Sequence, residues 1–222
     1  MKNITLSATA AAVLLLSQPV LAGTWSVGVN LGQSSSDAVE TQCNNIERDF
    51  FQSRFPATQF SCTSDDSDTA VGVNLGYHFD NTWGVEFGYM DFGEYTANVR
   101  GDGTGTFRTT GTNDALPLSL EASALYLAGT ASAAISDKWS LTGRLGVAQV
   151  DADFLSQQFG FANSGNNTGL MAGVSLDYQI QKQWNAVVRY DYFELAPDFD
   201  RSSRLDIDTN IDVLSLGVSH SF

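Results

Sequence analysis

The chain has 222 residues, of which 43% are hydrophobic, 11% aromatic and only 16% charged, with 11 Lys and Arg against 25 Asp and Glu. A formal net charge of -14 excludes a nucleic-acid surface, which needs clustered cations. The aromatic content argues against long-range disorder, because such side chains bury large apolar areas.

Residues 1–22 carry Lys2, a mostly apolar run from Ile4 to Leu16, then Pro19 and the small Ala22. This is the order of a secretory signal peptide, and the run is too short to cross a membrane as a helix. Cleavage after Ala22 is expected, which leaves 23–222 as the mature domain. Sec-type export leads to an oxidising compartment, where Cys43 and Cys62 are expected to pair.

The mature chain is punctuated by Trp25, Trp83, Trp139 and Trp184, each opening a segment of alternating apolar residues: WSVGVNLG, WGVEFGYM, WSLTGRLGV and WNAVVRYDYF. Three of these tryptophans follow a short polar turn, Asp80-Asn81-Thr82, Ser136-Asp137-Lys138 or Gln181-Lys182-Gln183, and another alternating segment ends before each turn. Period-two alternation bounded by turn residues predicts strands, and short turns join them as antiparallel hairpins. Strands are expected at about 24–33, 69–79, 83–93, 118–133, 139–151, 168–180, 184–195 and 210–222, with boundaries good to ~2–4 residues. Long connections fall at about 34–68, 94–117, 152–167 and 196–209.

In the first long connection, Asn45 is placed to cap a short helix through Arg54, with Ile46, Phe50 and Phe51 on one side and Pro56 as its stop. Phe50, Phe51, Phe55 and Phe60 then form a small core beneath the loop; the alternative is an exposed patch for a host receptor or a phage. Gly101, Gly103 and Gly105 precede no helix and so read as a loop tip, not a phosphate cradle. Asp65, Asp66, Asp68, Asp198, Asp200, Asp206 and Asp208 lack the Gly turn and closing Glu of a calcium loop. They are read as solvated carboxylates, the sharper alternative being divalent cations shared with lipopolysaccharide phosphates. No metal or cofactor is assigned.

Composition decides which way the alternating faces point. One face is small and uncharged, with Ser26, Gly28, Asn30, Gly72, Asn74, Gly76, Gly173 and Ser175; the other carries Val27, Val29, Leu31, Val71, Val73, Leu75, Phe87, Leu214 and Leu216. A soluble barrel would show Lys and Glu freely on its wet face. Small residues suit a narrow interior and the apolar rows suit hydrocarbon, where open strand edges are forbidden and the sheet must close. The fold class is therefore an all-β, eight-stranded, antiparallel up-and-down transmembrane barrel, too narrow for an open pore. Trp25, Trp83, Trp139, Trp184 and Phe222 form an aromatic girdle at one rim. The short turns and both termini are placed in the periplasm and the long loops outside.

The segment SLEASALYLAGTASAAISDKWSLTGRLGV and the ending LSLGVSHSF, with its C-terminal Phe222, resemble the small eight-stranded outer-membrane barrels of Gram-negative bacteria, most of all the OmpA-type transmembrane domain. The likeness spans nearly all of the mature chain. It implies a place among outer-membrane lipid and lipopolysaccharide, and recognition of Phe222 by the barrel-assembly machinery. His220 departs from the pattern, standing where the family more often has an aromatic. No residue follows Phe222, so the peptidoglycan-binding domain of full-length OmpA proteins is expected to be absent.

Alternation places Glu86, Glu121, Arg144, Arg189 and Asp191 in the lumen, where charges must pair or lose their solvation uncompensated. Such a network either fixes the barrel's shape or, as the resemblance suggests, gates a narrow path for ions or small solutes. Enzymatic chemistry finds little support. His78 sits on the lumen face near the turn rim and His220 faces lipid, and the His-x-Ser spacing of a lipid-A deacylase is missing, as is the lead-in helix of a palmitoyl transferase. The expected function is a non-enzymatic envelope barrel that presents loops, with adhesion to a host or phage ligand as a role. A narrow channel is the alternative, and a lipid-A-modifying enzyme the more remote one.

Overall fold

The computed structural model describes residues 23–36, 60–101, 115–156, 161–195 and 209–222. The expected signal peptide, Cys43, the Asn45–Arg54 helix, Gly103, Gly105 and the Asp198–Asp208 carboxylates lie outside them.

Every described element is a strand: β1 (Thr24–Ser36), β2 (Phe60–Asp65), β3 (Ser67–His78), β4 (Trp83–Gly101), β5 (Ala115–Ala134), β6 (Trp139–Ser156), β7 (Phe161–Gln181), β8 (Trp184–Leu195) and β9 (Thr209–Ser221). β2 and β3 lie end to end against the long β4, with Asp66 between them, so they form one stave. All pairings are antiparallel, β4 pairs with β5, and β1 pairs with β9, which closes the cylinder at eight staves. At the seam Phe222 N donates to Trp25 O at 2.8 Å, tying the two ends of the barrel domain together.

The turns form as their residues dictate. In the first, Asp80 Oδ1 accepts from the backbone N–H of both Thr82 and Trp83 at 2.7 Å, and Phe79 N reaches Trp83 O at 2.9 Å. An aspartate that binds the backbone two and three residues on is the side-chain mimic of a turn.

Strand positions follow the sequence pattern, but β4 to β7 run further from the turns than the alternation suggests: β4 continues to Gly101, β6 to Ser156, and β7 starts at Phe161. These extensions carry outward polar residues such as Glu94, Asp151, Asp153, Asn166 and Thr168. Polar residues on the outer face remove the apolar alternation without weakening the ladder, so the segments read as loop. The outer face itself is apolar across its middle, with Leu31, Leu127, Leu145, Leu214 and Leu216 among the most exposed side chains. Leucines left open to this extent belong to a surface solvated by hydrocarbon.

Candidate functional site

The lumen brings together the buried charges of the described residues. Each comes from a strand position whose side chain points inward: Glu86 on β4, Arg144 on β6, and Arg189 and Asp191 on β8. Two glycines make the room. A side chain at Gly88 would strike the Tyr126 ring of β5, and one at Gly173 would strike the Asp191 carboxylate.

Glu86 is the hub. Its Oε1 accepts from Tyr126 Oη at 2.8 Å, pairs with Arg189 Nη2 at 2.9 Å and lies 3.4 Å from Arg144 Nε. Its Oε2 accepts from Asn74 Nδ2 at 3.2 Å, and Asn74 Oδ1 accepts in turn from Asn30 Nδ2 at 3.2 Å. Arg189 Nε binds Asp191 Oδ2, its Nη2 donates to Tyr126 Oη at 3.0 Å, and its guanidinium lies 5.6 Å from the centre of that ring. Arg144 Nη2 donates to Ser175 Oγ at 2.8 Å, and Ser175 and Thr142 both donate to Asp177 Oδ2, at 3.1 and 3.0 Å. The four central charges balance, two of each sign, as burial demands. Arg144 is held less firmly: its Nη1 is 3.8 Å from Asp191 Oδ1, and Arg144 Nε, Arg144 Nη1 and Asp191 Oδ1 make no hydrogen bond to the described residues.

Glu121 is not in this network. On β5 the inward residues are Ala122, Ala124, Tyr126, Ala128 and Thr130, so Glu121 faces outward and is exposed. Small residues occupy both faces of β5 near Glu121, and alternation there carries too little contrast to fix the parity. Across the outer surface Glu121 lies between Glu94 of β4 and Asp153 of β6. The lumen also differs in content from the expected glycine, serine and charge. Farther from the turns it is apolar, with Met90, Phe92, Val150, Met171, Phe193, Ile211 and Val213 fully buried.

The girdle residues Trp25, Trp83, Trp139, Trp184 and Phe222 are all exposed at the short-turn rim. Tyr77 and Tyr178, which the sequence reading passed over, complete the ring together with His220: Tyr77 packs on Trp25 at 4.9 Å, Tyr178 on Trp139 at 4.8 Å, and His220 between Trp184 and Phe222 at 4.6 and 4.7 Å. His220 thus supplies the ring that an aromatic would supply at this position. His78 faces the lumen at the same rim, its Nε2 3.3 Å from Ser26 Oγ. Cys62 lies on β2 opposite Val99.

A closed antiparallel cylinder with hydrocarbon-suited outer rows, an aromatic rim and a charge-bearing interior defines a transmembrane β-barrel. The sequence matches the OmpA-like transmembrane domain over residues 21–222, and the chain belongs to that family of Gram-negative outer-membrane barrels. Among solved structures, Ail, the attachment invasion locus protein of Yersinia pestis, is 19% identical with a TM-score of 0.50, the match covering 90% of this chain and 99% of that one. The outer membrane protein OprG of Pseudomonas aeruginosa is 16% identical with a TM-score of 0.52, over 90% of this chain and 96% of that one. Neisserial surface protein A is 9% identical with a TM-score of 0.52, over 89% and 97%. At these identities the likeness is one of fold. Among curated proteins no match to this sequence is found.

Proposed function

We propose that the protein is a non-enzymatic outer-membrane barrel that supports the envelope and presents surface loops, with a lumen that does not conduct. One observation carries this: the interior is occupied by a charge-balanced network centred on Glu86, with Arg189 and Asp191 2% and 0% exposed. The Ser26–His78 pair supports the non-enzymatic role, because it lies inside the lumen, away from the outer face along which an acyl chain would lie. The loops are the natural site for a host or phage ligand, the short turns and termini belong in the periplasm, and Phe222 is the residue the assembly machinery would read. Planar-bilayer recording of the purified barrel tests the closed lumen. Silence at moderate voltage is expected, and steady conductance by the wild type overturns it.

The second reading is a narrow ion path through the same lumen. It is favoured by the loose hold on Arg144, whose Nε and Nη1 are free to exchange partners between Glu86 and Asp191. It requires that Glu86→Ala change the conductance; an unaltered trace counts against it.

A further inference from the structure

We infer that the seal of this barrel is the apolar layer of the lumen, and that the polar half beneath it is a one-sided vestibule open to the short-turn rim. This rests on the closed-lumen reading and assigns the closure to particular side chains.

Exposure along the interior changes in a definite direction. Lumen-facing residues near the turns, His78, Thr142, Asp177 and Asn185, are half-buried. Deeper, Glu86 and Arg144 keep 8% and 7% exposure, so water reaches the edge of the network. Exposure falls to 2% and 0% at Arg189 and Asp191 on the inner side of the network, and stays at 0% beyond them at Phe92, Met171, Phe193, Ile211 and Val213. These side chains come from β4, β7, β8 and β9, Met90 adds a second from β4 and Val150 brings in β6, so the layer draws on five of the eight staves. Phe92 and Phe193 meet edge to face at 5.0 Å across the lumen, and Phe193 meets Tyr126 at 6.0 Å, which seats the layer directly on the charge network. The polar group on the β1 side is tied down as well, since Ser34 Oγ donates to Phe92 O at 2.6 Å.

The two layers resist an ion differently. A network of charges and hydroxyls can exchange partners and carry water. An apolar constriction with no water-sized gap gives a hydrated ion no replacement for its shell and closes by staying dry. Rearranging Arg144 and Glu86 therefore opens a path only as far as the apolar layer.

The test uses the full barrel in planar bilayers and in proteoliposomes. Phe92→Ser with Phe193→Ser is expected to conduct steadily where the wild type is silent. Glu86→Gln with Arg144→Met removes one charge of each sign and leaves the Arg189–Asp191 pair intact, and it is expected to stay silent. Phe193→Leu, which keeps the layer apolar, stays silent too. Heat-modifiable gel migration reports that each variant is folded. Accessibility gives a second measurement that does not depend on a serine pair folding. With Cys43→Ser and Cys62→Ser as background, Thr142→Cys is expected to react with a charged thiol reagent applied at the rim side and to resist it from the loop side by roughly tenfold or more, as a dry constriction requires. Reaction from both sides, or a folded double-serine barrel that stays silent, overturns the assignment of the seal while leaving the closed lumen standing. Conductance by the wild type defeats the closed lumen itself.

Discussion

Asp191 shows what one buried charge demands of its neighbours. It is fully buried, bound by Arg189 Nε, with Arg144 Nη1 as a second cation at 3.8 Å. Arg189→Ala strands it, and leaving one member of a buried pair uncompensated costs about 3–5 kcal/mol. Arg189→Met with Asp191→Leu removes both charges at similar volume and is expected to recover most of that loss. Urea unfolding in detergent or lipid, read as a double-mutant cycle, checks it; additive losses would contradict the coupling. Above the apolar belt, Asp68 works differently. Its Oδ2 accepts from Glu94 N and its Oδ1 from Thr69 N, both at 2.6 Å, beside Gly93, whose φ of 81° and closeness to that carboxylate exclude a side chain. Those two amides, Glu94 first, hold the Asp68 carboxyl below its ordinary range. A depressed folded value adds stability above the unfolded aspartate value of about 3.9 and loses it as pH falls through the folded one. The gap in urea midpoint between wild type and Asp68→Asn should thus hold steady from pH ~8 to ~5 and close below ~4. A gap that persists into strong acid would show that the carboxylate's charge is not what stabilises these two hydrogen bonds.

Individual staves differ in how plainly the sequence declares them. β1 and β3 alternate valine with glycine, and a two-residue period with that contrast admits one orientation, so their outward rows are legible directly. β5 offers Ala and Ser on both faces and a tyrosine, Tyr126, that turns inward to Glu86, where an aromatic would be expected to face lipid. No local pattern marks that choice; it is made by Gly88 on the neighbouring strand, which leaves the space the ring fills. On β4 the run Tyr89-Met90-Asp91-Phe92 is nearly all apolar, so the inward layer is hidden in composition although the parity from Glu86 predicts it. The consequence for Glu121 is measurable. Val73 faces outward within the apolar belt, and Val73→Arg is expected to cost about 2–4 kcal/mol, as a cation on the lipid face near mid-depth does. Glu121→Arg, at the polar level, should cost no more than ~1 kcal/mol. It is expected to stabilise slightly, since Glu94 and Asp153 stand directly across from Glu121 and like charges so placed repel. Unfolding from phospholipid vesicles compares the two; an equal penalty would return Glu121 to a buried position.

Across the whole molecule, up-and-down closure with an even number of staves puts both ends of the domain at the aromatic rim and makes the cylinder sided. Lys138 and Lys182 fall in the short turns, whereas Arg48 and Arg54 fall in the first long connection between Cys43 and Cys62. Short turns of bacterial barrels face the periplasm, so a membrane-impermeant amine reagent should modify Lys138 and Lys182 only after the outer membrane is permeabilised. Trypsin added to intact cells should cut at Arg48 or Arg54. With Arg100, Arg108, Arg201 and Arg204 of the other long connections changed to Gln so that trypsin cuts only the first, a Cys43–Cys62 bond would hold the pieces together, so the clipped protein should migrate as one band without reductant and separate when the bond is reduced. Separation without reductant would show that the cysteines do not pair. Modification of the turn lysines on intact cells, with the arginines protected, would invert the barrel, placing the vestibule below Phe92 and Phe193 on the outer surface of the cell.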